Sequence, residues 1–396
     1  MSGREQKDTL FPEADEGGDT SPLGRTTGLL PSQEIRTLLS SREIHADVDI
    51  GEDQIQPASL DLRLGADAYR VRASFLPGPE ASVAERLDGF AMHRIALDDG
   101  AVLEKGCVYI VPLLESVHLK SRIAGIANPK SSIGRLDVFT RLITDYGPVF
   151  DQVAAGYRGP LYAEISPRTF SIVVRRGDRL NQLRLRRGSP QPSDRAMRRL
   201  HRSVGLVDAG LADADIDEGV AVTVDFSASG TQPVGWRARQ HAALIDLSRV
   251  DHYDAADFWE PVYADKGGDL ILNPGDFYIL ASREAVTVPP DHAAEMRPYD
   301  TRVGEFRVHY AGFFDPGFGF ADSGGSGSKA VLEIRSFEVP FVLRDGQLVG
   351  RLVYERLTAT PDKLYGVGIG SSYQRQGLML AKHFRRLATF GQPRDE

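Results

Sequence analysis

The sequence predicts an all-β fold, mainly strands with peripheral helices, arranged as two tandem domains. Three observations support this prediction: the chain contains 40 Gly and 23 Pro, its apolar residues fall in short strand-length runs, and its two halves resemble each other. Gly and Pro build turns and end regular elements, so their frequency between short apolar runs is typical of a β-barrel or β-sandwich.

Length and composition exclude several classes of protein. The chain has 396 residues and a formal net charge of −8, so it is long enough for two domains and too acidic for a general duplex-binding surface. Its one cysteine can form neither an intramolecular disulfide nor the paired thiolates of a structural zinc site. No run approaches the roughly 18 apolar residues of a membrane span, and no apolar signal-peptide core is present. We therefore expect a cytoplasmic protein.

The secondary-structure elements can be predicted in order along the chain. Residues 1–28 are polar and lack apolar periodicity, which predicts a disordered tail. Ser32 can cap a short helix, and alternating leucines over 60–64 indicate a half-buried strand. Further strands are predicted at CVYIVPL, PLYAEIS, FSIVV, NQLRLRR, DFYILA, AVLEIR, PFVLR and LVGRLVYERL. Helices are predicted at SDRAMRRLHRS and, near the C-terminus, at GLMLAKHFRRLA.

Comparison of the chain with itself indicates a tandem duplication. An offset of 169 positions separates Gly106 from Gly275, Tyr109 from Tyr278, Glu164 from Glu333, and Gly177 from Gly346. Two copies are too few and too long for a solenoid, so each is expected to be a complete domain. The first copy is predicted at 29–205, and the second, with a C-terminal tail, at 206–396.

Residues 130–135 of the first copy, KSSIGR, have the composition of a phosphate cradle. Small residues let backbone N–H groups approach oxygen atoms, while Lys130 and Arg135 balance their charge. The spacing differs from that of a Walker A loop. The alternative is an ordinary polar turn before a helix.

A carboxylate on a predicted strand is a second candidate site residue. In GYRGPLYAEIS, the period of two places Glu164 on the same strand face as Tyr162 and opposite Ala163 and Ile165. A carboxylate inside a barrel is costly unless it is paired or functional. The alternative is a solvated strand face, but the repetition of this residue as Glu333 favours a retained role.

Taken in order, these residues resemble the dCTP deaminases of the trimeric dUTPase superfamily. The resemblance rests on QPASLDLRLG at 56–65, KSSIGR at 130–135, an aromatic-x-Gly segment that begins at Tyr157, seven residues before Glu164, and LNQL at 180–183. It covers about residues 30–187. It implies that each copy is a dUTPase-like distorted β-barrel or jelly roll.

The second copy resembles the same pattern less closely. Arg297 and Arg302 stand at the two ends of the cradle position, but the serine pair is absent. Asp315 opens a DPGF turn that matches the family better than the first copy does at that point. Near the C-terminus, Tyr373 and Gln376 lie in a short segment similar to the family tail that folds over the triphosphate.

The resemblance implies hydrolytic deamination of dCTP to dUTP and ammonia without zinc. Zinc deaminases carry H-x-E followed by P-C-x-x-C, which this sequence lacks. A metal-free route requires a carboxylate base beside a water that hydroxyl and cationic groups also bind. The resemblance gives Glu164 the role of general base and proton shuttle, with Ser131 and Arg135 as donors to the water and transition state. Glu333 is the corresponding catalytic candidate of the second copy.

The resemblance also implies the nucleotide-binding set. Lys130, Ser132, Tyr157 and Gln182 are the candidates in the first copy; Mg²⁺ is expected to arrive bound to the phosphates. Family sites form between the subunits of a trimer, so residues from different chains or copies can complete one pocket. A homo-oligomer with trimeric or pseudo-trimeric symmetry is therefore expected, with dTTP as a candidate regulator.

Two other functions remain open from the sequence. One is a dUTP diphosphatase, or a bifunctional dCTP deaminase and dUTP diphosphatase, because GYRG resembles a dUTPase motif. The other is a non-catalytic dNTP-binding regulator, which the missing serines of the second copy favour for that half.

Overall fold

The computed structural model describes residues 25–188, 192–209, 214–227, 232–297, 306–309, 312–321, 327–336, 338–366 and 377–385, with 306–309 described by their backbone alone. Of the predicted tail 1–28, residues 1–24 lie outside this range. Arg25 already donates its backbone N–H to Thr358 O at 2.9 Å, and Gly28 begins the first strand. Regular structure therefore starts before the predicted boundary, since Gly28 pairs with Arg187 of the first copy and Arg25 bonds to the second copy.

The first copy is predominantly β, as predicted. Its elements are β1 (Gly28–Leu29), α1 (Ser32–Ser40), β2 (Ile44–Ala46), a 3₁₀ turn (Glu52–Gln54), β3 (Leu60–Arg63), β4 (Asp67–Val71), α2 (Val83–Phe90), β5 (Ala91–Ala96), β6 (Ala101–Leu103), β7 (Val108–His118), β8 (Ile123–Pro129), α3 (Ser131–Gly134), β9 (Val138–Thr144), β10 (Gln152–Val153), β11 (Arg158–Pro167), β12 (Ile172–Val174) and β13 (Arg179–Arg187).

The second copy is likewise built mainly of strands. Its elements are α4 (Asp194–Val204), β14 (Val220–Thr223), β15 (Gly235–Ala238), β16 (Ile245–Asp246), a 3₁₀ turn (Ala255–Asp257), β17 (Trp259–Val262), β18 (Asp269–Leu272), β19 (Phe277–Val286), β20 (His292–Arg297), β21 (Phe306–His309), β22 (Phe313–Phe314), β23 (Ser328–Ser336), β24 (Phe341–Arg344) and β25 (Leu348–Arg356).

The sheet topology repeats between the copies. In the first, β4, β7, β11 and β9 are neighbours in one sheet, and β3, β13, β8 and β10 form another. In the second, β15, β19, β23 and β21 are neighbours in the same order, and β14, β25, β20 and β22 form the counterpart of the other sheet. The small sheet of β6 and β12 corresponds to that of β18 and β24. Glu164 on β11 and Glu333 on β23 therefore occupy equivalent strands.

The two copies pack closely against each other. One apolar cluster joins first-copy residues such as Phe170 and Ile172 to Trp236, Trp259 and Phe277 of the second half. In addition, β16 pairs in parallel with β12, with Ile245 opposite Ile172. This shared burial of large aromatic side chains fixes the mutual position of the copies.

Three local expectations differ from the structure. Ser32 is the first residue of α1 rather than its cap, and its hydroxyl donates to Gln33 Oε1 and Asp362. α4, predicted in the first domain, packs with the second copy, because its Met197 is buried in the second apolar cluster. Residues 377–385, part of a predicted helix, are not helical. Their backbone instead pairs with residues 251–253, which leaves Phe384 buried against aromatic rings.

Candidate functional site

The cradle at 130–135 forms a single tight turn between β8 and β9. Lys130 ends the extended chain, and Ser131–Gly134 make one helical turn, α3. Arg135 is 2 % exposed and donates from Nε to Ser131 Oγ at 3.2 Å. Ser132 is also buried, with 6 % exposure. The turn thus brings two hydroxyls and two cations within one short segment.

Asp61 on β3 holds one end of this turn. Its carboxylate is 1 % exposed and forms an ion pair with Lys130 Nζ. Gln182, opposite Asp61 in the pairing of β3 with β13, donates to its Oδ1 at 3.1 Å. Sequence reasoning did not select Asp61 as a site residue, although it lies in the QPASLDLRLG motif. The signal was a carboxylate within an apolar, alternating strand.

Glu333 of the second copy reaches the other end of the turn. A Cβ atom built on Gly134 would lie 3.0 Å from the carboxyl carbon of Glu333, so the carboxylate fills the space that a side chain would need. Glu333 is 1 % exposed, and its Oε2 has no hydrogen-bond partner among the described residues. Burial is the largest effect on the pKa of Glu333 and raises it well above the usual value. The positive charge of Arg135 partly opposes this increase, whereas the negative charge of Asp137 adds to it.

The segment that leads into the DPGF turn of the second copy lies against the same cradle. Gly312, at the entrance to β22, has a φ of +59°, and a Cβ there would lie 3.5 Å from Ser131 N. Asp315, at the end of β22, accepts a hydrogen bond from Arg184 Nη2 of the first copy at 3.2 Å. Burial raises the pKa of Asp315, while Arg184 lowers it.

Arg184 is the second residue that sequence reasoning missed. It lies on β13, is 1 % exposed, and donates to the carbonyl oxygens of Ala294 and Phe314 at 2.9 and 3.0 Å. Its guanidinium also stacks 3.9 Å from the centre of the Phe313 ring. One cation of the first copy thus organises the turn of the second. The sequence predicted only a strand at this position, in NQLRLRR.

The C-terminal segment 377–385 completes the surroundings of Arg135. Met379 O accepts a hydrogen bond from Arg135 Nη1 at 3.0 Å. Three residues further on, burial and the nearby charge of Lys130 lower the pKa of Lys382. The segment is anchored by Phe384, whose ring centre lies 5.4 Å from that of Phe258 and 5.9 Å from that of Trp259.

Glu164 has different neighbours from those expected at the sequence level. It accepts a hydrogen bond from Ser74 Oγ at 2.6 Å, and its exposure is 6 %. Burial raises its pKa, while Ser74, Arg141 and Arg168 lower it. Among the described residues, the carboxylate beside Gly134 and Arg135 is therefore that of Glu333, whereas Glu164 contacts residues of its own copy.

The remaining candidates fall into two groups. Tyr157 uses its hydroxyl within the first copy, since it donates to Pro160 O at 2.7 Å and accepts from Asp145 N at 3.2 Å. Arg297 is exposed at the end of β20, 3.7 Å from Glu218. Arg302, Tyr373 and Gln376 lie outside the described residues.

Among the helices of the described residues, none has the length and apolar character needed to cross a membrane.

Comparisons with known proteins agree with this two-copy organisation. Residues 26–189 match the N-terminal domain of the 2′-deoxycytidine 5′-triphosphate deaminase family, and residues 193–384 match its C-terminal domain. A "dCTP deaminase, dUMP-forming" of Halobacterium salinarum is 31 % identical over 157 residues, 39 % of this chain and 75 % of that protein. One with the same description from Pseudarthrobacter chlorophenolicus is 30 % identical over 173 residues, 41 % of this chain and 86 % of that protein.

A solved structure extends the similarity over both copies. The crystal structure of 2′-deoxycytidine 5′-triphosphate deaminase from Agrobacterium tumefaciens is 54 % identical in sequence, with a TM-score of 0.80. The match covers 84 % of this chain and 100 % of that chain. At this identity the likeness extends beyond the fold to the sequence itself.

Proposed function

The chain belongs to the 2′-deoxycytidine 5′-triphosphate deaminase family, and we propose that it hydrolyses dCTP to dUTP and ammonia at a site formed by its two copies together. The assignment of Glu333 to this site rests on one observation. The buried carboxylate of Glu333 in the second copy lies against Gly134 and Arg135 in the cradle of the first. Both family domains are needed to build this arrangement.

The reaction adds water at C4 of cytosine and expels the amino group. Glu333 accepts a proton from the water as the oxygen bonds to C4 and the electrons of the C4–N3 double bond move to N3. It then delivers this proton to the amino nitrogen, which leaves as ammonia, and the remaining hydroxyl proton passes to N3 to give the uracil ring. Arg135 and Ser131 donate hydrogen bonds to the attacking oxygen and to the charge that develops in the tetrahedral intermediate. A base that must also return its proton works best with a raised pKa, and burial raises that of Glu333.

This assignment moves the general base from Glu164 to Glu333. In the sequence, the resemblance to the family gave this role to Glu164, with Glu333 as its counterpart in the second copy. The hydrogen bond from Ser74 and the enclosed position of Glu164 favour a structural role for it. Ser131 and Arg135 keep their roles as donors.

The triphosphate is proposed to bind at the Lys130 end of the cradle. Lys130, Ser132 and Gln182 supply cationic, hydroxyl and amide donors for phosphate oxygens. Among these described groups, the one carboxylate is that of Asp61, and it is already paired with Lys130 and hydrogen-bonded to Gln182. This suits a Mg²⁺ that stays coordinated by phosphates and water, where it neutralises charge on the triphosphate.

Membership of the family also supports a proposal for the domain fold and the oligomeric state. We propose that each copy is a dUTPase-like distorted barrel or jelly roll and that chains assemble with trimeric or pseudo-trimeric symmetry in the cytoplasm. The cradle of one copy facing the carboxylate of the other is the arrangement that the resemblance implies between subunits.

A product assay tests the proposal. Purified protein is incubated with dCTP or dUTP, and ammonia and pyrophosphate are measured separately. Ammonia from dCTP without pyrophosphate supports a simple deaminase. Ammonia together with pyrophosphate supports the bifunctional reaction, which the description "dUMP-forming" of two relatives favours as the second candidate. Nucleotide binding without either product would contradict both and favour a regulator.

A further inference from the structure

A second contact joins β23 to the cradle, two residues from Glu333. The guanidinium of Arg335 forms an ion pair with Asp137, which follows the cradle at the start of β9. Arg335 Nη2 also donates to Thr169 Oγ1 at 2.8 Å, and this hydroxyl donates to Asp137 Oδ2 at 2.6 Å. The Asp137 side chain is fully buried, and that of Arg335 is 14 % exposed.

Strand geometry links this ion pair to the proposed general base. Because residues two apart on a strand share a face, Glu333 and Arg335 both project from β23 toward the first copy. Glu333 meets the cradle at Gly134, and Arg335 contacts Asp137, which lies three residues later and just beyond the cradle. Asp137 itself is held by its backbone, since its N–H donates to Gly134 O at 2.8 Å. Its φ of +55° places it in the left-handed region.

We propose that the Asp137–Arg335 ion pair is a positioning element of the active site, which aligns β23 with the cradle so that Glu333 meets Ser131 and Arg135. This inference rests on the proposed function, because it assigns Glu333 as the base. Asp137 and Arg335 act through Glu333 and do not contact the reacting atoms. Thr169 orients the pair by bonding both members.

The pair is absent from the other half of the duplication. The counterpart of Arg335 at the offset of 169 is Ser166, and the position corresponding to Asp137 in the second cradle is Gly304. In the first copy, the strand position two residues after Glu164 therefore carries a serine where the second copy has Arg335. The two glutamates also differ in their surroundings, since Glu164 bonds to Ser74 of its own copy and Glu333 lies against Gly134 of the other copy.

Asp137 also influences the ionisation of Glu333. The charges that act on Glu333 come from Arg135, which favours the carboxylate, and from Asp137, which favours the protonated acid. On the neighbouring strands, the residues in register with Glu333 are Ile279 on β19 and His309 on β21. Removing the charge of Asp137 should lower the pKa of Glu333, an effect that a purely structural contact would lack.

The test compares Asp137→Asn, and the double variant Asp137→Asn with Arg335→Gln, with the wild type. The double variant removes both charges of this pair, so neither member is left buried without the other, and the test stays informative if Asp137→Asn fails to fold. The control is Asp246→Asn, which removes another ion pair between the halves, with Arg175 Nη1 and Asp246 Oδ1 2.6 Å apart. Neither member of that pair is among the charges that act on Glu333.

The measurement is the pH dependence of kcat/KM for dCTP, together with kcat and KM at the optimum. In both Asp137 variants we expect kcat to fall roughly 10- to 100-fold with a small change in KM, since a small displacement of the base is enough to cause such a loss. The acid limb should also move toward lower pH, because the charge of Asp137 raises the pKa of Glu333, whereas the control keeps the limb in place. Ionisation of dCTP is common to all variants and cancels in this comparison.

An unchanged kcat and an unchanged acid limb in a folded double variant would overturn the inference. Glu333→Gln separates this failure from failure of the proposed function. If Glu333→Gln is inactive while the Asp137 variants resemble the wild type, the base assignment stands and the positioning role falls. If Glu333→Gln retains wild-type activity, the proposed base itself is wrong.

Discussion

Glu333 and Gly134, 199 positions apart in the sequence, are in direct contact across the junction of the two copies. The carboxylate belongs to the second copy and the cradle glycine to the first. A chain with two family domains can thus bring together in cis the proposed base and the cradle, a combination that the resemblance implies between subunits.

Replacement of the two equivalent glutamates should have unequal effects. Glu333→Gln removes the proposed base and should lower kcat about 100- to 10,000-fold, whereas Glu164→Gln should cause a much smaller loss. Steady-state ammonia release from dCTP measures both, with circular dichroism to check folding. Equal losses, or about half of the activity left in each variant, would indicate two working sites.

Gly134→Ala should reduce activity through steric conflict with Glu333. The new Cβ would lie 3.0 Å from the carboxyl carbon of Glu333, closer than ordinary contacts allow. We expect kcat to fall roughly tenfold or more, as expected when a catalytic group is displaced. Gly89→Ala is the matched control, because Gly89 also lies in a helix but has no atom near its Cβ position. It should keep full activity and gain about 0.5–1 kcal/mol of stability.

Asp151 should make stability depend on pH. Burial raises its pKa from 3.8 to about 7, although Leu142 N–H donates to Oδ1 at 2.8 Å. The folded protein therefore retains a proton that the unfolded chain releases, and the free energy of unfolding falls as pH rises from about 4 to about 7. Asp151→Asn should raise this free energy by about 1–3 kcal/mol at pH 8 and change it little at pH 4.

Urea unfolding at pH 4, 6 and 8 would measure this effect. The exposed Asp98→Asn serves as a control for the loss of one negative charge. If Asp151→Asn shifts the midpoint equally at every pH, the carboxyl does not titrate in this window and the expectation fails.

Phe384→Ala should weaken the C-terminal segment and, through it, the site. The ring packs against Phe258 and Trp259, and Met379 in the same segment accepts the hydrogen bond from Arg135. Truncation of a buried Phe costs about 3–5 kcal/mol, which is enough to release the segment locally. We expect kcat/KM for dCTP to fall at least about tenfold. Tyr263→Ala, at an exposed aromatic residue, should have no such effect.

The local features of the fold were predictable because they depend on short-range chemistry. Alternating apolar runs produced strands such as β11 and β23, and the offset of 169 correctly related their topologies. The C-terminal helix was predicted wrongly for residues 377–385. Its apolar periodicity is compatible with a helix, but burial of Phe384 among aromatic residues of other segments favours an extended path.

The sequence by itself determined the class of the fold, the duplication, the cradle and the two strands that carry a glutamate. Only the tertiary structure decided that Glu333 rather than Glu164 meets Arg135, and that Arg184 and the Asp137–Arg335 pair join the copies. Strand periodicity specifies the face on which a side chain lies, whereas its partner depends on how two domains dock. That docking arises from apolar burial spread over many residues, which no single motif encodes.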